Sequence, residues 1–229
     1  MSVSVAALGD AAIVVTFAAE LTEAANDRAI ALAASLRHDP ALGGARVLDI
    51  VPAMTSVTVH FEPGDPGIAR AREVLRARAA EFVPVEYSRL DQPGIFNRDE
   101  FRLHDIPVVY GGDAGPDLDD VAAFAGCGAD DVVARHAGRV YRVYMLGFLP
   151  GFAYLGQVDA SIAAPRRAAP RQRVPAGSVG IAGAQTGVYP QASPGGWQII
   201  GRTALGMFDP ASGSRLQPGD RVRFVAVSS

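Results

Sequence analysis

Branched apolar residues crowd Ala11-Ala-Ile-Val-Val-Thr-Phe17, whereas Thr22 to Leu36 places Ala25, Ala29, Ile30, Leu32, Ala33 and Leu36 at the spacing of one helical face. The first segment predicts a strand and the second a helix, with Thr22 at its capping position. Arg46 to Val51 and Thr55 to Phe61 predict two more strands joined through Pro52-Ala-Met54. Pro66 opens a predicted helix that reaches Glu81, and Phe82 to Tyr87 supplies a last strand. Strand, helix, strand, strand, helix, strand is the ferredoxin-like βαββαβ order, expected here for residues 1–88.

The pattern then changes. Residues 89–105 are polar, include Pro93-Gly94 and sustain no period, so they predict a linker. A second domain, residues 106–229, begins with a short strand, and Asp117-Leu-Asp-Asp120 resembles a helix start with Asp117 as the cap and acids near the positive end of the dipole. From Arg139 onward the apolar runs are short and broken by turns such as Ser193-Pro-Gly-Gly196 and Gln217-Pro-Gly-Asp220. Arg139 to Leu146, Ser178 to Ala182, Trp197 to Thr203 and Arg221 to Val227 are the strand candidates, and many short strands with little helix predict a β-barrel or sandwich. The fold class expected is α+β: a ferredoxin-like domain followed by a β-barrel domain.

Composition narrows the chemistry. All 21 basic residues are arginine, so a Schiff base and a lysine-bearing phosphate loop are excluded, and any phosphate must be met by arginine or backbone N–H. The four histidines, His38, His60, His104 and His136, show no zinc spacing, and no metal site is expected. The single cysteine, Cys127, lies between two glycines and is expected in a tight connection. A net charge of -3 lacks the broad basic footprint of a nucleic-acid binder. The absence of a long apolar run and of a basic leader makes a cytoplasmic protein without a membrane span the expectation.

Between Asp159 and Asp209 no acidic residue occurs, yet Arg166, Arg167, Arg171, Arg173 and Arg202 do. Such a run marks either a local positive field suited to a carboxylate or phosphate, or a basic face whose acidic partners come from elsewhere in the fold. Pro165, Pro170 and Pro175 keep this stretch extended, so Arg171 and Arg173 are expected to face together, while Arg166 and Arg167 diverge, with Arg167 toward solvent. Glycines from Gly147 to Gly201 fit close ligand approach or barrel corners equally, and Gly183-Ala-Gln-Thr-Gly187 could form an anion nest. Phe148, Phe152, Tyr154, Tyr189 and Trp197 lie beside them, with Gln185, Thr186, Gln198 and Arg202 as polar company for a small ligand. Core packing is the competing role for most of the aromatics.

Four strings carry a family resemblance: Gly147-Phe-Leu-Pro-Gly-Phe-Ala-Tyr-Leu155, the stretch from Pro170 to Pro190, Ser193-Pro-Gly-Gly-Trp-Gln-Ile-Ile-Gly-Arg-Thr203 and Pro218-Gly-Asp-Arg-Val-Arg-Phe224. With the weaker Gly9-Asp10 and Val51-Pro-Ala-Met-Thr-Ser56, they make the chain resemble the family of bacterial 5-oxoprolinase B subunits (PxpB), also described as KipI-like or allophanate hydrolase subunit 1. Met54 stands where an aromatic is expected in many relatives. The resemblance implies a cyclophilin-like barrel for the second domain. It also implies ATP, with Mg2+, bound with or by partner chains: a KipA-like C subunit (PxpC) and a separate A subunit (PxpA), together cleaving 5-oxo-L-proline to L-glutamate. The substrate- or anion-binding residues expected are Arg166, Arg171, Arg173, Gln185, Thr186, Tyr189, Trp197, Arg202, Phe148 and Tyr154, and no catalytic base is assigned. Relatives also imply two alternatives: a protein inhibitor of a sensor histidine kinase, and a carboxyltransferase-type module of urea or allophanate metabolism.

Overall fold

The computed structural model describes residues 3–38, 41–81 and 102–228. They fall into two compact units, within Met1–Glu100 and within Phe101–Ser229.

In the first unit, β1 (Ser4–Ala7), β2 (Ala12–Thr16), β3 (Val47–Pro52) and β4 (Ser56–Phe61) form an antiparallel sheet in the order β1-β2-β4-β3. Helices α1 (Glu23–His38) and α2 (Ile68–Glu81) complete the described part. Alternate residues of β4, Val57, Val59 and Phe61, are buried, as a strand with one covered face requires. Ala25, Ala29, Leu32, Ala33 and Leu36 of α1 and Ala71, Leu75 and Ala79 of α2 share that core. Each such leucine or phenylalanine contributes about 1.5–3 kcal/mol by leaving water. Thr22 Oγ1 accepts the Ala25 N–H at 3.1 Å, which caps α1 as expected.

The βαββαβ expectation needs correction at its start. Ser4–Ala7 is a strand, paired with β2 from Ser4↔Thr16 to Ala7↔Ile13. Four residues with a single buried side chain, Val5, are too short to show a period along the chain. The described order is therefore ββαββα, and the strand expected at Phe82–Tyr87 lies outside the described residues.

The second unit holds a closed barrel of seven strands, which fits the cyclophilin-like expectation. Its staves are β5 (Leu103–Tyr110), β6 (Val140–Leu146), β7 (Ala153–Gly156), β9 (Ser178–Ala182), β10 (Gln185–Val188), β12 (Gln198–Arg202) and β15 (Arg221–Ala226), in the closed order β10-β7-β6-β15-β5-β12-β9. Closure leaves none of these strands with an unpaired edge. Two ribbons stand apart from it: β8 (Arg171–Val174) with β11 (Ser193–Gly195), and β13 (Phe208–Asp209) with β14 (Gly213–Ser214). Strand β5 starts at Leu103, inside the stretch expected to be linker, because it runs parallel to β15 from Leu103↔Arg221 onward.

Helices α3 (Leu118–Ala125) and α4 (Ala129–Ala137) pack their apolar faces on the barrel core, and Cys127 sits in the turn between them. Gly126 ends α3 in the left-handed conformation, and Cys127 N–H donates to Ala122 O at 3.1 Å. Barrel closure explains several glycines: a Cβ on Gly201 would lie 2.6 Å from Val108 Cγ1, and one on Gly177 would meet the Thr203 carbonyl. The stretch expected as an anion nest is instead a hairpin turn, with Ala182 paired to Gln185 and the Gly183 N–H donated to Ala164 O at 2.8 Å.

Candidate functional site

Asp117 gathers the positive charge of the arginine run. It is 1% exposed, and its side chain does not cap α3. Instead Oδ1 accepts from Arg167 Nη1 at 2.7 Å and Arg171 Nη2 at 2.6 Å, while Oδ2 accepts from Arg171 Nη1 at 2.7 Å and the Ile199 N–H at 2.6 Å. The capping expectation fails because two charge-assisted partners and a buried backbone donor outweigh one exposed cap bond. The hydrogen bond to Asp117 raises the Arg171 pKa, opposed by burial. Removing either partner of a buried pair of this kind costs about 3–5 kcal/mol.

Divergence of Arg166 and Arg167 is observed, with their destinations exchanged. Arg167 turns to the buried carboxylate, and Arg166 is the exposed member. Arg171 and Arg173 do not act as one face either: Arg171 closes on Asp117, and Arg173 stays exposed beyond it on β8. Pairing across 54 positions draws Arg171 inward, which the local alternation of an extended segment does not register.

Beside this clamp stands an aromatic wall. Phe152, 1% exposed, is its centre, with ring centroids at 5.0 Å to Tyr154, 5.3 Å to Tyr189, 5.3 Å to Trp197 and 5.5 Å to Phe148, all edge to face. Glycines make room for it. A Cβ on Gly187 would lie 3.3 Å from both Phe152 and Trp197, and one on Gly195 would strike the Tyr189 hydroxyl. Phe148 is 59% exposed and adopts φ 69°, a left-handed conformation that a bulky side chain takes only under constraint. Burial raises the Tyr189 pKa, opposed by the Trp197 backbone N–H that its hydroxyl accepts and by the Arg166 and Arg171 charges. Tyr154, Tyr189, Trp197 and Phe148 are thus gathered around Phe152, with the Arg166 and Arg171 charges acting on Tyr189.

Residues 3–216 match the family described as carboxyltransferase domain, subdomain C and D. The chain is 40% identical over 229 residues to the 5-oxoprolinase B subunit of Bacillus subtilis (strain 168), covering 96% of this chain and 91% of that protein. It is 44% identical over 222 residues to the 5-oxoprolinase B subunit of Escherichia coli O157:H7, covering 95% and 93%. The chain belongs to the family of 5-oxoprolinase B subunits. Among solved structures, TTHA0988 superposes with a TM-score of 0.76 at 35% identity over 95% of this chain, which spans only 40% of that one.

Four more residues expected in the site of this 5-oxoprolinase family member are carried by the barrel strands β10 and β12 and by the ribbon strand β8. Thr186 is fully buried in the barrel, where its hydroxyl donates to Gly180 O at 2.9 Å and meets His136 Nε2 at 2.8 Å. Gln185 begins β10 in the turn opposite Ala182. Arg202 ends β12, paired with Val109 and Ser178, and its buried Nε has no partner among the described residues. Arg173 is the exposed strand residue already placed. Gln198, at the other end of β12, donates Nε2 to Pro165 O at 3.0 Å, while its buried Oε1 has no partner among the described residues.

The partners of two groups escaped the sequence reading. Asp117 carried a cap signature that concealed its ion pairs. His136 sits in α4 yet reaches Tyr110 on β5 and Thr186 on β10 and stacks on Phe224 of β15, so it is enclosed by the barrel. Among the described residues no three His, Cys, Asp or Glu side chains converge to hold a metal, and no helix is long and apolar enough to cross a membrane.

Proposed function

We propose that this chain is the B subunit of an ATP-dependent 5-oxoprolinase, acting with partner subunits to hydrolyse 5-oxo-L-proline to L-glutamate. The observation that carries the reading is the identity of 40% and 44%, over at least 95% of this chain, to two proteins bearing that name. The site chemistry supports it. 5-Oxo-L-proline offers a small five-membered ring with an apolar methylene edge, a polar lactam amide and one carboxylate. The exposed Phe148 and the half-buried Tyr154, backed by the buried Tyr189 and Trp197, accept the ring, and the exposed Arg166 meets the carboxylate with a planar fork.

Ring opening needs the lactam oxygen activated by ATP before water attacks the carbonyl carbon, since an amide is a poor electrophile. The chain has no lysine for a phosphate loop, and the Gly183 N–H of the glycine hairpin is already bonded. ATP and its Mg2+ are accordingly assigned to the partners, a KipA-like C subunit and an A subunit, and this chain is given the role of holding the substrate. A strain lacking the gene is expected not to grow on 5-oxoproline as sole nitrogen source. Normal growth would overturn the reading and favour kinase inhibition or urea metabolism.

A further inference from the structure

The strap that carries Arg166, between Pro165 and Pro170, belongs to no strand, yet it is fastened at both ends. Gln198 Nε2 donates to Pro165 O at 3.0 Å, and the Arg167 N–H donates to Gly196 O at 2.8 Å. The side chains of Arg167 and Arg171 converge on Asp117, whose Oδ2 accepts the Ile199 N–H as well as Arg171 Nη1. One buried carboxylate therefore ties the strap to the segment Gly196–Ile199, which contains Trp197 of the aromatic wall. With four donors filled and 1% exposure, Asp117 has no face left for a substrate.

We propose that Asp117 is the positioning residue of the site: by clamping Arg167 and Arg171 it holds the strap that carries Arg166 against the segment Gly196–Ile199, where Arg166 receives the carboxylate of the cyclic amide. This rests on the 5-oxoproline reading of the site. The neighbours are arranged for an anion and for nothing else. An amide at this position would turn its NH2 toward the Ile199 N–H or toward a guanidinium, placing donor against donor. Asp117 acts through Arg166, so its effect falls on substrate binding.

Asp117→Asn is measured in two ways. In the reconstituted complex, KM for 5-oxoproline rises about ten-fold, ~1.4 kcal/mol, and far more than kcat falls. In an Arg166→Ala background the same substitution changes KM by less than about two-fold, because the group it positions is gone. On the purified full chain, trypsin cuts after Arg167 in Asp117→Asn at a dose that leaves the wild type uncut there. Should Asp117→Asn fail to fold, Arg171→Lys, which keeps the charge and loses the fork, shows the same KM shift in smaller measure. An unchanged KM, additive effects with Arg166→Ala, or strap cleavage equal to wild type would overturn the assignment. A wild-type complex that releases no glutamate from 5-oxoproline removes the reaction reading instead, and the cleavage comparison then decides the clamp by itself.

Discussion

His136 enters the folded chain as a neutral imidazole with one tautomer. Thr186 spends its hydroxyl proton on Gly180 O, so it accepts from Nε2–H, and Nδ1 is left to accept from the Tyr110 hydroxyl at 2.8 Å. The ring stacks on Phe224 at 4.6 Å and lies 5.4 Å from Tyr141, whose hydroxyl donates to the His136 carbonyl. Burial pushes its pKa down to about 3, and burial likewise pushes the Tyr110 and Tyr141 phenols up. In the unfolded chain an imidazole titrates near ~6.5, so between that value and about 3 the unfolded state binds the extra proton. Stability that is fully present above ~6.5 is therefore lost as the pH falls, with a slope approaching ~1.4 kcal/mol per pH unit. Asp65, Asp105, Asp159 and Asp209 are all held below the usual carboxylate range, so their contributions fade only below about pH 4. Urea unfolding of the wild type and of His136→Gln, compared from neutral pH to about pH 5, isolates this imidazole from the other three. A flat profile across that interval would show that His136 carries a proton in the fold.

The loop from Gly147 to Phe152 shows an element built around a strained residue. Gly147 N–H donates to Phe152 O at 3.1 Å, Leu149 N–H to Gly147 O at 2.8 Å and Phe152 N–H to Leu149 O at 2.9 Å, a closure that leaves Phe148 at φ 69°. A left-handed L-residue costs roughly 1–2 kcal/mol. In return the exposed ring stands against Phe152 and Tyr189. Phe148→Gly is expected to leave the melting temperature equal or higher while raising KM for 5-oxoproline in the complex. A fall of several degrees would make the ring a packing group. Elements with enough length to show a period were legible in the sequence: α1, β4, β9 and β15 lie within a residue or two of expectation. Strands of two to four residues were not, because β1, β7, β10 and β14 contain too few alternations and several glycines. The site was half legible for a related reason. Composition and turn residues gathered the aromatics and arginines into one stretch of chain, but the partner that orders Arg167 and Arg171 lies 50 and 54 positions away. Side chains that pair through a closed barrel leave no local trace.

At the scale of the molecule, the question is what this chain lacks for the proposed reaction. Activating a lactam oxygen requires groups for the phosphates, and opening the ring requires a proton acceptor for water. No lysine occurs in the sequence. Arg167 and Arg171 are committed to Asp117, and Asp117 itself is saturated. His136 is sealed in the barrel as a neutral base with both nitrogens bonded, and His104 is held at 3.0 Å on Asp220. On the proposed reading the aromatic wall and Arg166 hold the substrate, and phosphoryl transfer and proton removal fall to the partner subunits. The purified chain, given ATP and 5-oxoproline, is therefore expected to release no glutamate above background, and addition of the A and C subunits is expected to restore turnover. The comparison is made at equal concentrations, with size exclusion showing whether the chain elutes with the C subunit. Robust glutamate release from this chain alone would mean that it carries a base and a phosphate site of its own, and the division of labour between the subunits would have to be redrawn.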